Sequence, residues 1–392
     1  MRAHGVGRKV GLAAMVAALW AMPAVAQLDD IPTSLVRERE ILNATQRGQI
    51  QAFVAAHAPG LTSQEASVRN QARTSLRRPL MDNDVSVSFR IGYSAELTPK
   101  LREAVRSGNR EAAIAALLLA GELATAEAAQ LAAGELANAD PILRYQAAYA
   151  IGLTLHTAAK RSPAMTPAQC ESLITAVGQR VKFIPGVTGT ADEADPVVAG
   201  NPSAPVALNP AQEETDPWVL DRLMRSLAAA MEGENPSFES VRSKATRVLC
   251  AKTIVRMRTE PATKLDAMTL EVLLRGAQTV ERSFNTAVHD DKTQRLAIAL
   301  GADSLAFVAR HFFALPEDDE RRQLLSRLSN AAENIVVWVR GLMENRRPES
   351  MGITAALTSG NERTFRERLE QLIGRDGLLM RAPYNLGPER FR

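Results

Sequence analysis

Apolar side chains recur every three or four residues along most of the chain after residue 27, and this spacing gives an α-helix one apolar face. The clearest stripe comprises Leu324, Leu328, Ala332, Ile335, Val339 and Leu342. Aromatic residues make up only 4% of the sequence, so alanine and aliphatic side chains supply most of its 46% hydrophobic residues. Small side chains allow helices to approach closely, and the pattern predicts an all-α protein.

Three predicted helix starts combine a capping side chain with proline. Thr166, Asp140 and Asp216 each precede a proline. The side-chain oxygen can accept free N–H groups of the first turn, where proline lacks an N–H that would have no partner. The acidic run at residues 317–320 suits a fourth helix start, because negative charge complements the helix dipole there.

Residues 85–91, VSVSFRI, alternate between apolar and polar side chains as a half-buried strand does. Phe89, Tyr93 and Leu97 instead step by four, as in a helix. No convincing partner strand occurs elsewhere, and an isolated strand would be unstable. We therefore predict a helix that begins near Ser86.

Residues 1–26 predict a cleaved signal peptide. Three basic residues precede an apolar core at 10–20, and Ala24-Val25-Ala26 forms a small-x-small cleavage site. A membrane span needs about 20 apolar residues, and this segment ends earlier, at Pro23. No second long apolar run is evident. We therefore expect export to the periplasm or out of the cell, without stable membrane insertion after cleavage.

Removal of that segment changes the charge of the chain. It holds three of the 47 basic residues and no acidic residue, so 44 basic residues remain against 44 acidic ones. The remaining chain has no net charge and lacks the basic character of nucleic-acid-binding proteins. We expect no nucleic-acid partner.

The stretch DPILRYQAAYAIG, residues 140–152, predicts a capped helix that stops at Ile151-Gly152. Its core is Arg144-x-x-Ala147-x-x-x-Ile151, and three copies have leucine at the last position. These are Arg69-Ala72-Leu76, Arg110-Ala113-Leu117 and Arg242-Ala245-Leu249. The arginines are 41, 34 and 98 residues apart. The first two steps match two-helix repeats of about 40 residues, and the third would hold two repeats and an insertion.

A family resemblance is carried by Asp140, Pro141, Arg144, Ala147, Ala148, Ala150, Ile151 and Gly152. With these residues the chain resembles the HEAT-repeat family, especially bacterial HEAT-like proteins whose second helix begins Asp-Pro-x-x-Arg-x-x-Ala-Ala-x-Ala-Leu-Gly. The resemblance implies an α-solenoid of antiparallel helix pairs, degenerate toward the C terminus. The implied repeat-structural residues are Asp140, Pro141, Arg69, Arg110, Arg144 and Arg242. One helix departs from the pattern, because Arg222 stands six residues after Asp216 instead of four.

Five regions are predicted along the chain. They are a signal peptide (1–26), an N-terminal helical HEAT-like region (27–184), a flexible loop or linker rich in proline, glycine and acidic residues (185–216), a C-terminal helical region (217–380) and an irregular tail (381–392).

The sequence has no recognisable catalytic or metal-binding pattern. Beyond the signal its histidines, His57, His156, His289 and His311, lack the spacing of metal ligands. No nucleophile elbow or phosphate-binding loop occurs. Trp218 and Trp338 are predicted in the core, and His289 at a solvated helix end or loop. We predict no catalytic residue, cofactor or metal.

Cys170 and Cys250 leave two alternatives. In an oxidising compartment a pair of cysteines can form a disulfide. Each cysteine also lies in a predicted amphipathic helix, where a thiol acts as a small apolar group. Both alternatives stay open from the sequence.

These observations favour an exported, non-catalytic helical-repeat scaffold that binds other proteins along its concave surface. One alternative is an exported enzyme or small-molecule binder with a site near the 185–216 loop. The other is a cell-envelope structural protein that assembles with itself.

Overall fold

The computed structural model describes residues 30–160, 164–181, 214–233, 235–259, 265–286, 289–347 and 349–387. Regular structure in these ranges is entirely helical, which confirms the predicted all-α class; beyond helices they hold one isolated bridge, between Thr125 and Ala164. The α-helices are α1 (Thr33–Val36), α2 (Ala44–His57), α3 (Ala66–Arg77), α4 (Val87–Arg106), α5 (Arg110–Leu123), α6 (Ala126–Gly134), α7 (Pro141–Lys160), α8 (Pro167–Arg180), α9 (Pro217–Met231), α10 (Glu239–Thr259), α11 (Ala267–Thr286), α12 (Asp291–His311), α13 (Glu320–Met343), α14 (Ile353–Thr358) and α15 (Glu362–Ile373).

The predicted helix starts are confirmed. Thr166 forms a capping box with Gln169 at the start of α8. The Oδ1 atom of Asp140 accepts the Ile142 N–H at 2.9 Å, and Asp216 caps α9 in the same way. In the acidic run, Asp319 caps α13. Each cap satisfies a backbone donor that has no partner inside its own helix.

Residues 87–106 form a helix, as predicted. The hydroxyl of Ser86 accepts the Phe89 N–H at 3.0 Å and caps α4. Phe89, Tyr93 and Leu97, which are spaced by four, are all buried. The helical period therefore prevails over the alternating pattern at 85–91.

The predicted helix stop at Gly152 is wrong, because α7 continues to Lys160. Gly152 instead lies where α7 and α9 approach closely. A Cβ at this position would meet Ser226 Oγ at 3.1 Å and Ser226 Cα at 3.3 Å. The Ser226 hydroxyl donates a hydrogen bond of 2.5 Å to the carbonyl of Ala148. The glycine therefore serves packing between helices and not helix termination.

Helices two apart in the chain pack against each other and form two series. The odd series comprises α3, α5, α7, α9, α11 and α13. The even series comprises α2, α4, α6, α8, α10 and α12. Consecutive helices such as α4 and α5, α9 and α10, and α12 and α13 contact each other across the two series.

Buried apolar residues form two clusters along the chain. One extends from Ile31 to Ala128, and the other from Ala113 to Leu386. The second cluster contains helices from both sides of the predicted loop at 185–216, most of which lies outside the described residues. The Glu214 N–H donates to the Arg180 carbonyl at 2.9 Å. The end of α8 and the segment just before α9 therefore lie next to each other in space.

In the part of the chain that the structure describes, one helix resembles a membrane span by length and composition. The segment Asp291–Ala314 meets that criterion, so the expectation of no second long apolar run is wrong. Of its most apolar window, 72% is buried inside the protein. A core helix of a globular protein passes the same test.

Replacing Gly121 by alanine is expected to lower the free energy of unfolding by about 1–3 kcal/mol, which is the usual effect of overpacking. The added Cβ would lie 2.8 Å from Ala150 Cα and 2.9 Å from its carbonyl oxygen. Urea denaturation measures the change. Gly48→Ala is the matched control, because Gly48 also lies inside a helix but has no atom within 4 Å of the added Cβ. The control should be neutral or stabilising by about 0.5–1 kcal/mol, and equal losses in both variants would contradict the close-approach interpretation.

Candidate functional site

A groove lies across four helices of the odd series. Its first part has a volume of about 440 Å³ and is formed by α7, α9 and α11. Its second part has about 560 Å³ and is formed by α11 and α13. Arg275 and Arg282 line both parts, so we treat them as one feature, the arginine groove. Its charged and aromatic lining residues are Tyr149, His156, Arg222, Arg225, Glu232, Glu271, Arg275, Glu281, Arg282 and Arg327.

Helical spacing explains why these side chains share one surface. On α9, Arg222, Arg225 and Ala229 follow each other at three and four residues. On α11, Arg275 and Arg282 stand seven residues apart, which is two turns. Residues at these intervals lie on one helix face. The packing of α7, α9, α11 and α13 in series then joins the faces into one groove.

Arg222 has an unusual position in the groove. Its guanidinium lies 4.0 Å from the ring centroid of Tyr149 and 5.8 Å from that of Tyr145, within cation–π range. Burial lowers its pKa from the ordinary arginine value. Its Nε is buried without a hydrogen-bond acceptor, and within the described residues no carboxylate forms an ion pair with it. The side chain is therefore a cation held by aromatic rings and not by an acid.

Asp221 lies between two other arginines of the groove. Its Oδ2 is 2.8 Å from Arg225 Nε, and its Oδ1 is 2.7 Å from Arg275 Nε. The Asp221 side chain is only 14% exposed, so the pairs are partly shielded from water. One carboxylate therefore orients two guanidinium groups and offsets one of their two charges.

The first part of the groove is basic. Four arginines line it, and Glu232 is the carboxylate in its lining. Asp221 beside them adds a second carboxylate, and Glu281 interacts electrostatically with Arg282 from the second part. His156 lies at the edge, with its Nδ1 4.0 Å from Glu232. A basic surface of this kind attracts anionic groups.

The second part carries mixed charge. Asn334 donates a hydrogen bond of 2.7 Å to Glu281, and burial raises the pKa of that carboxyl group from its ordinary value. Glu271 and Arg327 add one charge of each sign. The groove therefore changes from basic at α9 to mixed at α13.

Three of the predicted repeat arginines hold the chain segment that precedes their own helix. In each case Nη1 donates to two backbone carbonyls. Arg69 binds those of Ser63 and Gln64, both at 2.8 Å, Arg144 those of Asn138 and Ala139, both at 3.0 Å, and Arg242 those of Gly233 and Asn235, at 2.9 and 2.8 Å. These hydrogen bonds satisfy carbonyls at the helix-to-helix connections, which is a structural task.

Arg322 also holds the connection before its own helix, α13, although the sequence pattern does not include it. Its Nε and Nη2 atoms donate to the Leu315 carbonyl at 3.1 and 2.7 Å. Leu325 and Ser329 stand where the pattern requires alanine and an aliphatic residue, so this helix does not match it.

Three of the four predicted repeat arginines, those on α3, α5 and α7, also reach the next helix of the odd series or the segment directly before it. Arg69 forms an ion pair with Glu111 on α5. Arg110, which is exposed, lies 2.6 Å from Asp140, the cap of α7. Arg144 pairs with Glu214, just before α9. Asp140 and the three arginines therefore act at contacts between helices. None of the six predicted repeat residues is among the described residues that line the arginine groove.

Glu214 is the most buried acid of these contacts, with 1% of its side chain exposed. Arg144 donates to its two oxygens at 2.7 and 2.9 Å, and the Asp216 N–H donates at 2.9 Å. Burial acts to raise the pKa of Glu214, but these hydrogen bonds outweigh burial and lower it below the ordinary value. The carboxylate therefore stays ionised and joins α7 to the start of α9.

Both cysteines are free thiols in this structure. Cys170 on α8 and Cys250 on α10 are buried in the same apolar cluster, and their helices pack together. Burial raises the pKa of Cys170 to about 12 and that of Cys250 further above its ordinary value. Thiols with such pKa values are protonated at neutral pH and are poor nucleophiles.

Three predictions about single residues are wrong. Trp218 and Trp338 are 67% and 42% exposed, so they do not belong to the core. Leu342 is also exposed and lies one turn from Trp338 on α13. His289 is not solvated but buried, and its ring lies 4.4 Å from that of Phe284. The described residues contain no group of three or more histidines, cysteines and acids that could hold a metal ion.

Comparison with known proteins adds no identification. No protein-family model matches the chain, and no curated protein matches it in sequence. The HEAT-like resemblance therefore depends on the residues quoted above.

Sequence reasoning missed the arginine groove, although one signal was present. Arg222 is displaced by two residues from the position that Arg144 occupies after its own Asp-Pro pair. An arginine at the regular position binds backbone carbonyls, whereas the displaced arginine lies over Tyr149 in the groove. The departure from the repeat thus coincides with the candidate site.

Replacing Glu214 by glutamine is expected to lower the free energy of unfolding at pH 7 by about 2–4 kcal/mol, because Arg144 would lose its buried counter-charge. The lowered pKa of Glu214 sets the pH dependence. Its stabilisation is complete above the unfolded value of about 4.3 and is lost as pH falls through the lower folded value. Urea denaturation between pH 3 and 7 measures this, with the exposed Glu367→Gln as control. A difference between wild type and Glu214→Gln that does not shrink below about pH 4 would contradict the assignment.

The two thiols are expected to be unreactive in the native protein and reactive after denaturation without reductant. Burial keeps both protonated and out of contact with solvent. Titration with a thiol reagent should give two free thiols per denatured chain. A result of no free thiol would establish the alternative Cys170–Cys250 disulfide.

Proposed function

We propose that this protein is an exported α-solenoid of HEAT-like helix pairs that binds a segment of another protein in the arginine groove. Support for the repeat architecture comes from the two series of helices, in which each helix packs on the next but one. Further support comes from arginines that hold the connections before α3, α7 and α10. In such arrays each repeat contacts its neighbours, and an extended face is left for binding.

The observation that carries the proposed binding function is the groove itself. It is open, it crosses α7, α9, α11 and α13, and it combines arginines with Tyr149. Packed helices lie about 8–10 Å apart, so four helices in series span about 25–30 Å. An extended polypeptide of about eight residues has this length.

The chemistry of the groove suits a protein ligand. Arginine and aromatic residues are enriched at protein interfaces and carry much of their binding energy. Trp338 and Leu342 are exposed on α13, the last helix of the groove. They offer apolar contact area beyond the charged part.

Export is the part of the proposal that rests on sequence alone. The basic start, apolar core and small-x-small site of residues 1–26 support it. These residues lie outside the part of the chain that the structure describes.

A photo-crosslinking residue at Gln278 is expected to form an adduct with another protein in a cell-envelope extract of the source organism. Gln278 lines the groove between its two shared arginines. The control is the same residue at Arg102, which is exposed on α4 of the even series. Adding Arg275→Glu and Arg327→Glu to the Gln278 variant should abolish the adduct, because it reverses two charges of the groove.

Denaturing gel electrophoresis and mass spectrometry of the adducts decide the outcome. Equal adducts at both positions, or no protein adduct at Gln278, would overturn the proposed binding function. Adducts only between two copies of this chain would support the self-assembling alternative instead.

A further inference from the structure

We infer that the part of the groove formed by α7, α9 and α11 is a carboxylate-binding site, with Arg222 as its central donor, that receives acidic side chains of a bound polypeptide. This inference deepens the proposed function and rests on it for the source of the carboxylate.

The first step is the unused hydrogen-bonding capacity of Arg222. A guanidinium group has five N–H donors in a planar fork that matches the two oxygens of a carboxylate. The face of this guanidinium lies over Tyr149, 4.0 Å from the ring centroid, which leaves its edge for in-plane donation. No described carboxylate uses that edge, and the half-buried position strengthens any ion pair formed there.

The second step is the orientation of the neighbouring arginines. Asp221 contacts Arg225 and Arg275 through their Nε atoms, at 2.8 and 2.7 Å. The Arg225 contact is also a hydrogen bond, whereas the Arg275 contact is an ion pair alone. Both contacts involve Nε and not the terminal Nη groups. A ligand carboxylate at Arg222 therefore meets further donors that are already positioned.

The third step is the match of charge and shape. The lining of this part of the groove carries four arginines against Glu232, and Asp221 offsets one further charge. Leu153 and Ala229 provide apolar surface beside the arginines. A carboxylate on a short methylene stem, as in glutamate, satisfies both kinds of surface.

The test measures binding of a fluorescein-labelled peptide of eight glutamates to the full chain by fluorescence anisotropy, at about 20 mM salt where screening is weak. Arg222→Gln should weaken binding about tenfold, because it removes one charge-assisted hydrogen-bonded pair between the arginine and a peptide carboxylate. The matched control is Arg102→Gln, which changes the net charge equally but lies on the even series. It should change binding less than about twofold.

Three outcomes would overturn the inference. Equal weakening by both variants would show attraction by net charge alone. A peptide of eight lysines that binds as well as the glutamate peptide would show that charge does not matter. Free glutarate that binds as tightly as the peptide would assign the pocket to a small dicarboxylate.

Circular dichroism and thermal denaturation establish that Arg222→Gln is folded. If it is not, Arg225→Gln replaces it, because Arg225 is exposed and its loss should not disturb the core. That variant should weaken peptide binding about threefold to tenfold.

The outcomes separate this inference from the proposed function. A protein adduct at Gln278 that survives Arg222→Gln, with peptide binding unchanged, would overturn the carboxylate site alone. Binding of the glutamate peptide without any protein adduct at Gln278 would overturn the protein-binding function alone.

Discussion

Neighbouring helices of the odd series lie close together because one of them presents no side chain at the contact. At Gly121 the backbone of Ala150 occupies the space that a Cβ would need, and at Gly152 Ser226 occupies it. Ser226 then reaches the carbonyl of Ala148 on the neighbouring helix. Spacing set by backbones and methyl groups explains how a chain with 4% aromatic residues fills its core. The same contact shapes the arginine groove, because Gly152 and Ser226 both line it.

Arginine has two tasks in this protein, and its surroundings decide between them. Arg144 is largely buried, and backbone carbonyls and Glu214 use its donors, so it holds the connection before its helix. Arg222 has neither a carbonyl nor a carboxylate among its described partners and lies over Tyr149. A shift of two residues along a helix turns a side chain by about 200°. The displacement within the Asp-Pro-x-x-Arg pattern is therefore large enough to move an arginine from a connection to an open face.

Local signals in the sequence predicted the all-α class and the helix starts, and contacts between distant residues account for the errors. The caps and the helix at Ser86 depend on a few neighbouring residues, so the sequence contains what decides them. The role of Gly152 depends on its contact with Ser226, which lies more than seventy residues later in the chain. Because a glycine that ends a helix has the same neighbouring residues, the sequence around Gly152 does not distinguish the two roles. The prediction that Trp338 is buried failed for a related reason. The spacing of apolar residues shows which face of a helix is apolar, but not how much of that face the neighbouring helix covers. Prediction of the candidate site would have required knowing that Tyr149 and Arg222 are in contact. The two residues lie on different helices, and no local sequence pattern links them.

The concentration of arginines in one groove has an energetic consequence for binding. Guanidinium groups held close together repel each other, and the repulsion is greatest where water is partly excluded. Asp221 offsets part of this cost by lying between Arg225 and Arg275, and its two oxygens are then occupied. No described carboxylate forms an ion pair with Arg222, and aromatic rings stabilise a cation less than a carboxylate does. An arriving carboxylate therefore gains its own hydrogen bonds and also relieves the repulsion among the arginines, and Arg222 is the position where both effects are largest.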